Sequence, residues 1–282
     1  MENKNDQELS AEQKLFIKKV LRDPVLFTTH VLGIDLWLRE IEILRSIKNH
    51  RRTAVKACHG VGKTFTLAVA ALWWLARHRE GIVLTTSPTQ RQVRTQLWSE
   101  IHRPVDKAKV PYPKLKTTEL KFRSDNNFAM GFSTNQAENF QGYHGKYVLI
   151  IADEAPGIES GIWDAIAGTM AGGVVHSVMA GNPTVPSGAF FDAFTKDRGL
   201  WNCFTIGAFD SPNLKGLRRR LALPKAIANW SLTSLQQRVV KTGGRLVKPA
   251  RYYWLLLAES HLTRRLFSGM LSKIAALPLP AG

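Results

Sequence analysis

The most informative segment of the sequence is Ala57-Cys58-His59-Gly60-Val61-Gly62-Lys63-Thr64. It fits the phosphate-binding loop pattern, with alanine at its first position, an apolar strand pattern before it and an apolar helix pattern after it. In such a loop, glycines let backbone N–H groups turn inward around phosphate oxygens, and the following helix adds its positive N-terminal end. We therefore expect all eight residues to line a bound nucleotide, with Lys63 reaching the β- and γ-phosphates and Thr64 binding Mg²⁺.

A phosphate-binding loop needs an acidic residue that holds the metal at the end of a neighbouring strand. Tyr147–Ala152 is an unbroken apolar run, and Asp153 and Glu154 follow it directly. We expect Asp153 to hold the Mg²⁺ shell and Glu154 to polarise the attacking water as a general base. The adjacent Asp-Glu pair favours an ATPase that hydrolyses its nucleotide over a GTPase that positions water with glutamine.

A third polar segment follows the next predicted strand. That strand is predicted over Val174–Ala180, and Gly181-Asn182-Pro183 comes after it. A Gly-Asn-Pro sequence alone indicates only a turn. Placed one strand after Asp153, however, Asn182 is predicted to contact the γ-phosphate or its water and to couple hydrolysis to movement.

The remaining pattern alternates apolar strands with helices, which predicts an α/β fold with a mainly parallel sheet covered by helices on both faces. We expect a helical N-terminal lead-in over residues 1–50, a P-loop NTPase core over 51–210 and a tail of different character over 211–282. The lead-in includes a capping box at Ser10 and Gln13, and a helix capped by Asp23 that ends near Gly33. The predicted core strands are Thr53–Ala57, Ile82–Thr86, Glu119–Phe122, Phe128–Ser133, Tyr147–Ala152 and Val174–Ala180, and the predicted core helices are Lys63–His78, Thr89–His102 and Ile158–Met170.

The charge of the chain is concentrated near its C-terminus. The net charge is +17, and residues 211–282 contain 13 Lys or Arg residues but a single acid, Glu259. This charge suggests a polyanionic partner such as nucleic acid. The longest apolar run, Leu67–Ala76, is about half of what a membrane span requires. With two cysteines and no secretory pattern at the start, we expect a protein of a reducing cytoplasm.

Five segments in order resemble the large terminase subunit of tailed bacteriophages, and the similarity extends over residues 35–213. The segments are Val55–Thr64, Thr85–Thr89, Phe140–Gly145, Asp153–Ala155 and Gly181–Pro183. The resemblance implies a RecA-like (ASCE) ATPase domain that drives double-stranded DNA into a procapsid and holds it without sequence preference. It also implies a portal protein and a small terminase subunit as partners, a homo-oligomeric ring, and the cytoplasm of a bacterial host.

Two positions depart from the family pattern. The glutamine expected on the adenine side of the site aligns with Glu40, which as a carboxylate only accepts hydrogen bonds, so we expect weak discrimination between bases. Where some members of the family carry an arginine in the phosphate loop, this chain has His59. The arginine that stabilises charge must then come from elsewhere, and the candidates are Arg91 and Arg94.

The family also carries a nuclease domain, which residues 211–282 do not match. A two-metal nuclease needs several converging carboxylates, and this segment offers only Glu259. We expect no endonuclease activity from these residues. The hypothesis is that the reading frame was lost near Leu217, and a genuine basic arm for DNA is the alternative.

Taken together, the residues predict an ATP hydrolase that uses ATP and Mg²⁺ to power DNA packaging. Two other classes stay open at this point. A helicase-like or remodelling ATPase would share the same motifs, and a prophage remnant would bind nucleotide or DNA without useful turnover.

Overall fold

The computed structural model describes residues 9–106, 108, 116–133 and 143–211, together with the backbone of two short strands near the C-terminus. The chain divides into two compact units, Met1–Ile206 and Gly207–Gly282. In the second unit the described strands β8 (Gly244–Val247) and β9 (Trp254–Leu257) pair antiparallel. The other expectations for the tail lie outside the described residues.

The described part of the first unit is built around a seven-stranded sheet. Its strands are β1 (Arg52–Ala57), β2 (Gly81–Ser87), β3 (Glu119–Ser124), β4 (Asn127–Ser133), β5 (Tyr147–Ala152), β6 (Val174–Gly181) and β7 (Asn202–Ile206). The order across the sheet is β3-β4-β2-β5-β6-β1-β7. All neighbouring pairs are parallel except β3 and β4, which form an antiparallel hairpin at one edge. Strand β6 therefore lies between β1, which leads into the phosphate loop, and β5, which leads into Asp153.

Helices cover the sheet and form the N-terminal segment. They are α1 (Ala11–Arg22), α2 (Pro24–Phe27), α3 (Leu38–Asn49), α4 (Lys63–Arg77), α5 (Gln90–Gln92), α6 (Trp98–Asp106), α7 (Ser160–Thr169) and α8 (Gly188–Asp192). A π-helical turn, Thr28–Leu32, continues α2, and another, Val93–Leu97, joins α5 to α6.

Strand alternation divides the buried side chains into two cores. Leu149 and Ile151 of β5 pack with the apolar residues of α4, on what we call the α4 face of the sheet. Their neighbours Ile150 and Ala152 pack with residues of α7, on the opposite α7 face. Because successive side chains of a strand point to opposite faces, these assignments fix the face of the residues at each strand end.

The predicted α/β fold with a RecA-like parallel sheet is confirmed. The predicted caps of the N-terminal helices are also present. Gln13 N donates to Ser10 Oγ at 3.1 Å, and Gly33 ends the second helix with a left-handed φ of 71°. The helix predicted from Thr89 to His102 instead begins at Gln90, contains the π-helical turn and runs to Asp106.

Strand β7 was missed, and the reason lies in its exposure. Only Ile206 of its five residues is buried, as expected for an edge strand paired on one side with β1. Such a strand has no continuous apolar run to identify it. Helix α8, of five residues, was also missed, and it is too short for a helical period to show in the sequence.

One buried side chain ties the end of α4 to the edge hairpin. Asn127, at the start of β4, is fully buried, and its Nδ2 donates to the carbonyl oxygens of His78 at 2.8 Å and Gly81 at 3.1 Å. His78 directly follows α4, and its carbonyl oxygen also accepts from the Gly81 N–H at 3.1 Å, while Gly81 begins β2. The hairpin therefore also caps the chain between α4 and β2.

We expect Asn127→Ala to lower the free energy of unfolding by about 2 kcal/mol, because the His78 and Gly81 carbonyl oxygens each lose a buried hydrogen bond. Urea unfolding followed by tryptophan fluorescence measures the change. The matched control is Asn126→Ala, which alters the neighbouring, exposed asparagine of the hairpin turn. Equal stability of the two variants would show that the Asn127 hydrogen bonds contribute nothing net.

Candidate functional site

The phosphate loop connects β1 to α4 and depends on two glycines in left-handed conformations. Gly60 has a φ of 72° and Gly62 a φ of 82°, values that residues with a side chain rarely adopt. A Cβ atom on Gly62 would also collide with Oε1 of Glu40. Both glycines of the pattern are therefore required by backbone geometry, and Gly62 by a close contact as well.

Lys63 is the first residue of α4, and its side chain turns back beneath the loop. Its Nζ donates to the carbonyl oxygen of Cys58 at 2.8 Å and to Oδ1 of Asn182 at 2.8 Å. Only 8% of the residue is exposed. Burial lowers the pKa of Lys63, while the nearby Glu154 and Asp153 carboxylates act in the opposite sense.

Asp153 follows β5 and is fully buried. It lies two residues after Ile151, so its side chain is on the α4 face, where the helix presents Thr64. Its Oδ2 accepts a hydrogen bond from Thr64 Oγ1 at 3.0 Å, and its Oδ1 accepts one from the Glu154 backbone N–H at 3.1 Å. Burial raises the pKa of Asp153 to about 6, although the Thr64 hydroxyl opposes this effect.

Glu154 is held in an unusual backbone conformation. Its φ of 51° is the only positive value at a non-glycine position within the residues that the structure describes. Such a conformation costs on the order of 1 kcal/mol or more, and it is enriched at functional sites. The turn leaves Glu154 half-buried directly beside the fully buried Asp153.

Asn182 follows β6 and connects the strand end to the loop from the other side. It is 9% exposed, and its Nδ2 is hydrogen bonded to Nε2 of His59. With Oδ1 accepting from Lys63, the amide bridges two residues of the phosphate loop and its helix. The structure thus brings together Lys63, Thr64, Asp153, Glu154 and Asn182, as the sequence predicted.

The structure places Glu40 against the phosphate loop. Its Oε2 accepts a hydrogen bond from the Trp37 backbone N–H at 3.1 Å, and the Trp37 side chain donates to it as well. The carboxyl group thereby caps the start of α3 and rests on Gly62. Burial raises the pKa of Glu40 to about 7. Its contact with a base stays a prediction.

The two candidate arginines are not among the residues that converge at the start of α4. Arg91 and Arg94 are exposed on the helical segment after β2, and within the described residues neither side chain makes a hydrogen bond or ion pair. Of the loop residues, His59 and Gly60 are exposed, whereas Ala57 and Val61 are buried in the core.

Sequence reasoning missed a close approach between two strand ends. A Cβ atom on Gly181, at the end of β6, would collide with Cδ of Pro156, in the turn after Glu154. The only signal for this contact is the glycine itself, which a strand-end turn explains equally well. The contact couples the Asn182 segment to the Glu154 turn.

The parallel sheet and the phosphate loop together identify a P-loop NTPase fold of the RecA-like type. An acidic pair follows β5, and an asparagine follows the neighbouring strand β6. The family described as the terminase large subunit, T4likevirus-type, N-terminal region, matches residues 57–196. The chain therefore carries, in these residues, the N-terminal region of a terminase large subunit. No curated protein matches the chain in sequence.

Solved structures of phage terminases share this fold. The large terminase of the thermophilic bacteriophage D6E is 12% identical, with a TM-score of 0.54 over 68% of this chain and 52% of its own. Its complex with ATP-gamma-S gives 13% identity and a TM-score of 0.53, over 69% and 51%. The Thermus phage P74-26 large terminase ATPase domain is 18% identical, with a TM-score of 0.50 over 69% and 91%. This chain therefore spans about half the length of the D6E protein.

Within the part of the chain that the structure describes, no helix is long and apolar enough to cross a bilayer. No group of three or more His, Cys, Asp or Glu side chains is arranged there to hold a metal by itself.

The raised pKa of Glu40 predicts a pH-dependent stability. A carboxyl group whose pKa rises from 4.5 unfolded to about 7 folded contributes stability that is fully present below pH 4.5. That contribution is lost as the pH rises through 7. Because the amide of Glu40→Gln does not ionise, we expect the variant to gain stability relative to wild type by on the order of 2 kcal/mol between pH 4.5 and 8.

Urea unfolding of both proteins at several pH values measures this difference. Glu42→Gln is the control, since Glu42 lies on the same helix but is half-exposed and paired with Arg39. A stability difference between wild type and Glu40→Gln that is the same at pH 4.5 and pH 8 would contradict the assignment.

Proposed function

We propose that this protein binds and hydrolyses ATP and that hydrolysis powers the movement of double-stranded DNA into a phage procapsid. The observation that supports this most directly is the convergence of Lys63, Thr64, Asp153, Glu154 and Asn182 at one end of the sheet. The family match of residues 57–196 and the ATP-gamma-S complex of the D6E terminase agree with it.

In this proposal the loop from Ala57 to Thr64 surrounds the phosphates. The backbone N–H groups at the start of α4 point toward them, and the ammonium of Lys63 pairs with the β- and γ-phosphates. A phosphate that attracts Lys63 Nζ competes with Asn182 Oδ1 for the same donor. Nucleotide binding would thus weaken the hydrogen bond that holds Asn182, and a resulting movement of Asn182 would reach the Glu154 turn through the contact between Gly181 and Pro156.

The residues present fit a magnesium ion that is bound mainly through phosphate and water. A hydroxyl oxygen on Thr64 and a carboxylate oxygen on Asp153 lie 3.0 Å apart, and both are oxygen ligands of the kind Mg²⁺ selects. Thr64 would bind the ion and Asp153 would hold its shell. When bound, Mg²⁺ would neutralise phosphate charge during transfer.

Glu154 is the proposed general base. It directly follows the buried Asp153 in a turn of positive φ, and the residue is partly exposed, so in this proposal a water molecule reaches its carboxylate. Proton acceptance by a positioned carboxylate contributes a factor of about 10²–10⁴ to such reactions. For the cation that stabilises the transferred phosphoryl group we propose Arg94, with Arg91 as the other candidate.

The wider assembly is proposed from the family and from charge. The net charge of +17 suits sequence-independent, salt-sensitive binding to the DNA backbone. We propose a ring of copies of this chain that works with a portal protein and a small terminase subunit in the cytoplasm of the bacterial host. Because Glu259 is the only acid in residues 211–282, we propose that these residues supply no nuclease site.

The experiment that tests the proposed function separates nucleotide binding from hydrolysis. We expect Glu154→Gln to bind Mg²⁺ and ATP as wild type does but to hydrolyse ATP at least 100-fold more slowly, because an amide cannot accept the water proton. Phosphate release measures turnover, and fluorescence of a labelled ATP analogue measures binding.

The matched control is Glu159→Gln, which makes the same change at an exposed position five residues further along the chain. Wild-type turnover in Glu154→Gln would remove Glu154 from the reaction. Absence of ATP hydrolysis in the wild-type protein, with and without DNA, would contradict the proposed function itself.

A further inference from the structure

A cavity of about 570 Å³ opens at the edge of the sheet where strands β1 and β7 begin, opposite the phosphate loop. The last residue of α3 and the residue after α7 line it. Its walls also include His50, Arg51, Arg52, Leu200, Trp201 and Asn202. Strand β1 runs from Arg52 to Ala57 and rises about 3.3 Å per residue, so its two ends are about 17 Å apart. The cavity is therefore separate from the site described above.

Two neighbouring arginines make this cavity positively charged. Arg51 Nη2 donates to the carbonyl oxygen of Met170 at 2.9 Å, and the guanidinium carbon of Arg52 lies 5.8 Å from the centre of the Trp201 ring. Both partners are neutral, so they hold the guanidinium groups in place without cancelling their charge. Within the described residues neither arginine forms an ion pair, and no acidic side chain lines the cavity.

An anion bound between the two arginines would replace repulsion by attraction, because like charges held side by side repel one another. A guanidinium group presents its N–H donors in one plane, and this fork matches the oxygen atoms of a phosphate or a carboxylate. A phosphate monoester carries a charge of about −1.5 to −2 at pH 7, which suits two adjacent cations better than the single charge of a carboxylate. The arginine pair therefore predicts a ligand with a terminal phosphate.

The remaining walls suit a group that is larger than phosphate. Leu200 is 62% exposed and, with the half-buried Trp201, adds apolar surface to the cavity. The Asn202 side chain is fixed at its Nδ2, which donates to Ser46 Oγ at 2.8 Å. Small-molecule sites combine apolar walls with a few placed polar groups in volumes of about 300–1,000 Å³, and this cavity falls in that range. A nucleotide carries the matching parts, which are a phosphate and a base with flat apolar faces.

We propose that this cavity, which we call the arginine cavity, binds one nucleotide with a terminal phosphate. Arg51 and Arg52 hold the phosphate, and the base contacts Leu200 and Trp201. The same chemistry is found in a free nucleoside monophosphate and at the phosphorylated end of an unpaired DNA strand. The inference stands apart from the proposed function, because the arginine cavity shares no residue with the phosphate loop or with the polar groups around it.

The test measures binding of deoxyadenosine monophosphate to the full-length protein by isothermal titration calorimetry. We expect Arg52→Gln to raise the dissociation constant about tenfold, because a charged hydrogen bond to phosphate is lost. The matched control is Arg79→Gln, which removes the same charge from an exposed residue near the start of β2, three strands away from β1 in the sheet. This control is expected to bind as wild type does. Deoxyadenosine, which lacks the phosphate, and inorganic phosphate, which lacks the base, should each bind about tenfold more weakly than the monophosphate.

A second variant tests the arginine cavity without changing an arginine. Leu200→Asp places a carboxylate at a mainly exposed position of the wall, so the protein should keep its wild-type thermal midpoint. We expect the variant to weaken binding of the monophosphate about tenfold, because the new charge repels the phosphate and competes for the arginines. Leu38→Asp makes the same change at a leucine of α3 that is 65% exposed, and it should leave binding unchanged.

Wild-type affinity in a folded Arg52→Gln or Leu200→Asp protein would overturn the proposal, and so would equal binding of deoxyadenosine. Wild-type protein that binds no deoxyadenosine monophosphate would overturn it as well. Loss of this binding in Lys63→Ala would place the ligand at the phosphate loop and would also overturn the proposal. A phosphorylated, unpaired oligonucleotide that depends on Arg52 and binds more tightly than the monophosphate supports a strand end as the occupant, whereas weaker binding supports a free nucleotide.

Discussion

The hydrogen bond from Lys63 Nζ to Asn182 Oδ1 joins two residues that are 119 positions apart and holds the site together. It forms because β6 lies beside β1 in the sheet, so the end of β6 faces the loop that leaves β1. On the other side of β6, strand β5 delivers Asp153 to Thr64. The order β5-β6-β1 thus determines which side chains meet at the start of α4.

The site buries two groups of opposite charge, the ammonium of Lys63 and the carboxylate of Asp153. Lys63 and Asp153 are both almost inaccessible to solvent. Burial lowers the pKa of Lys63 and raises the pKa of Asp153, which in each case favours the neutral form of the side chain. Removing a charge from water is unfavourable unless polar partners replace the water. Asn182, Thr64 and the Glu154 backbone are those partners in the present structure, and a nucleotide with its metal would supply stronger ones.

Much of this site could be predicted because each part has a local signature. Gly60 and Gly62 stand where the backbone requires left-handed residues, and Asp153 follows a strand whose unbroken apolar run shows burial on both faces. The meeting of these groups could be inferred because parallel strands end at the same edge of a sheet. The expectation that the Asp153 strand is adjacent to β1 was wrong, since β6 lies between them. The fold and the five converging residues were accessible in this way.

The parts that could not be predicted depend on packing between distant segments. The position of Glu40 on Gly62 follows from how α3 packs against α4, which no local pattern encodes. The edge strand β7 lacks an apolar run, and its pairing with β1 joins segments about 150 residues apart. Each of these features is set by tertiary contacts.

The most direct measurement is the affinity of the protein for ATP-gamma-S with Mg²⁺ when Lys63 is replaced by alanine. The comparison is Lys56→Ala, a half-buried lysine on β1 whose Nζ lies 4.7 Å from the centre of the Phe194 ring rather than beneath the loop. Loss of a charged hydrogen bond to phosphate should raise the dissociation constant roughly 10- to 100-fold in Lys63→Ala, while Lys56→Ala binds as wild type does. A folded Lys63→Ala protein with wild-type affinity would contradict the assignment of the phosphate loop.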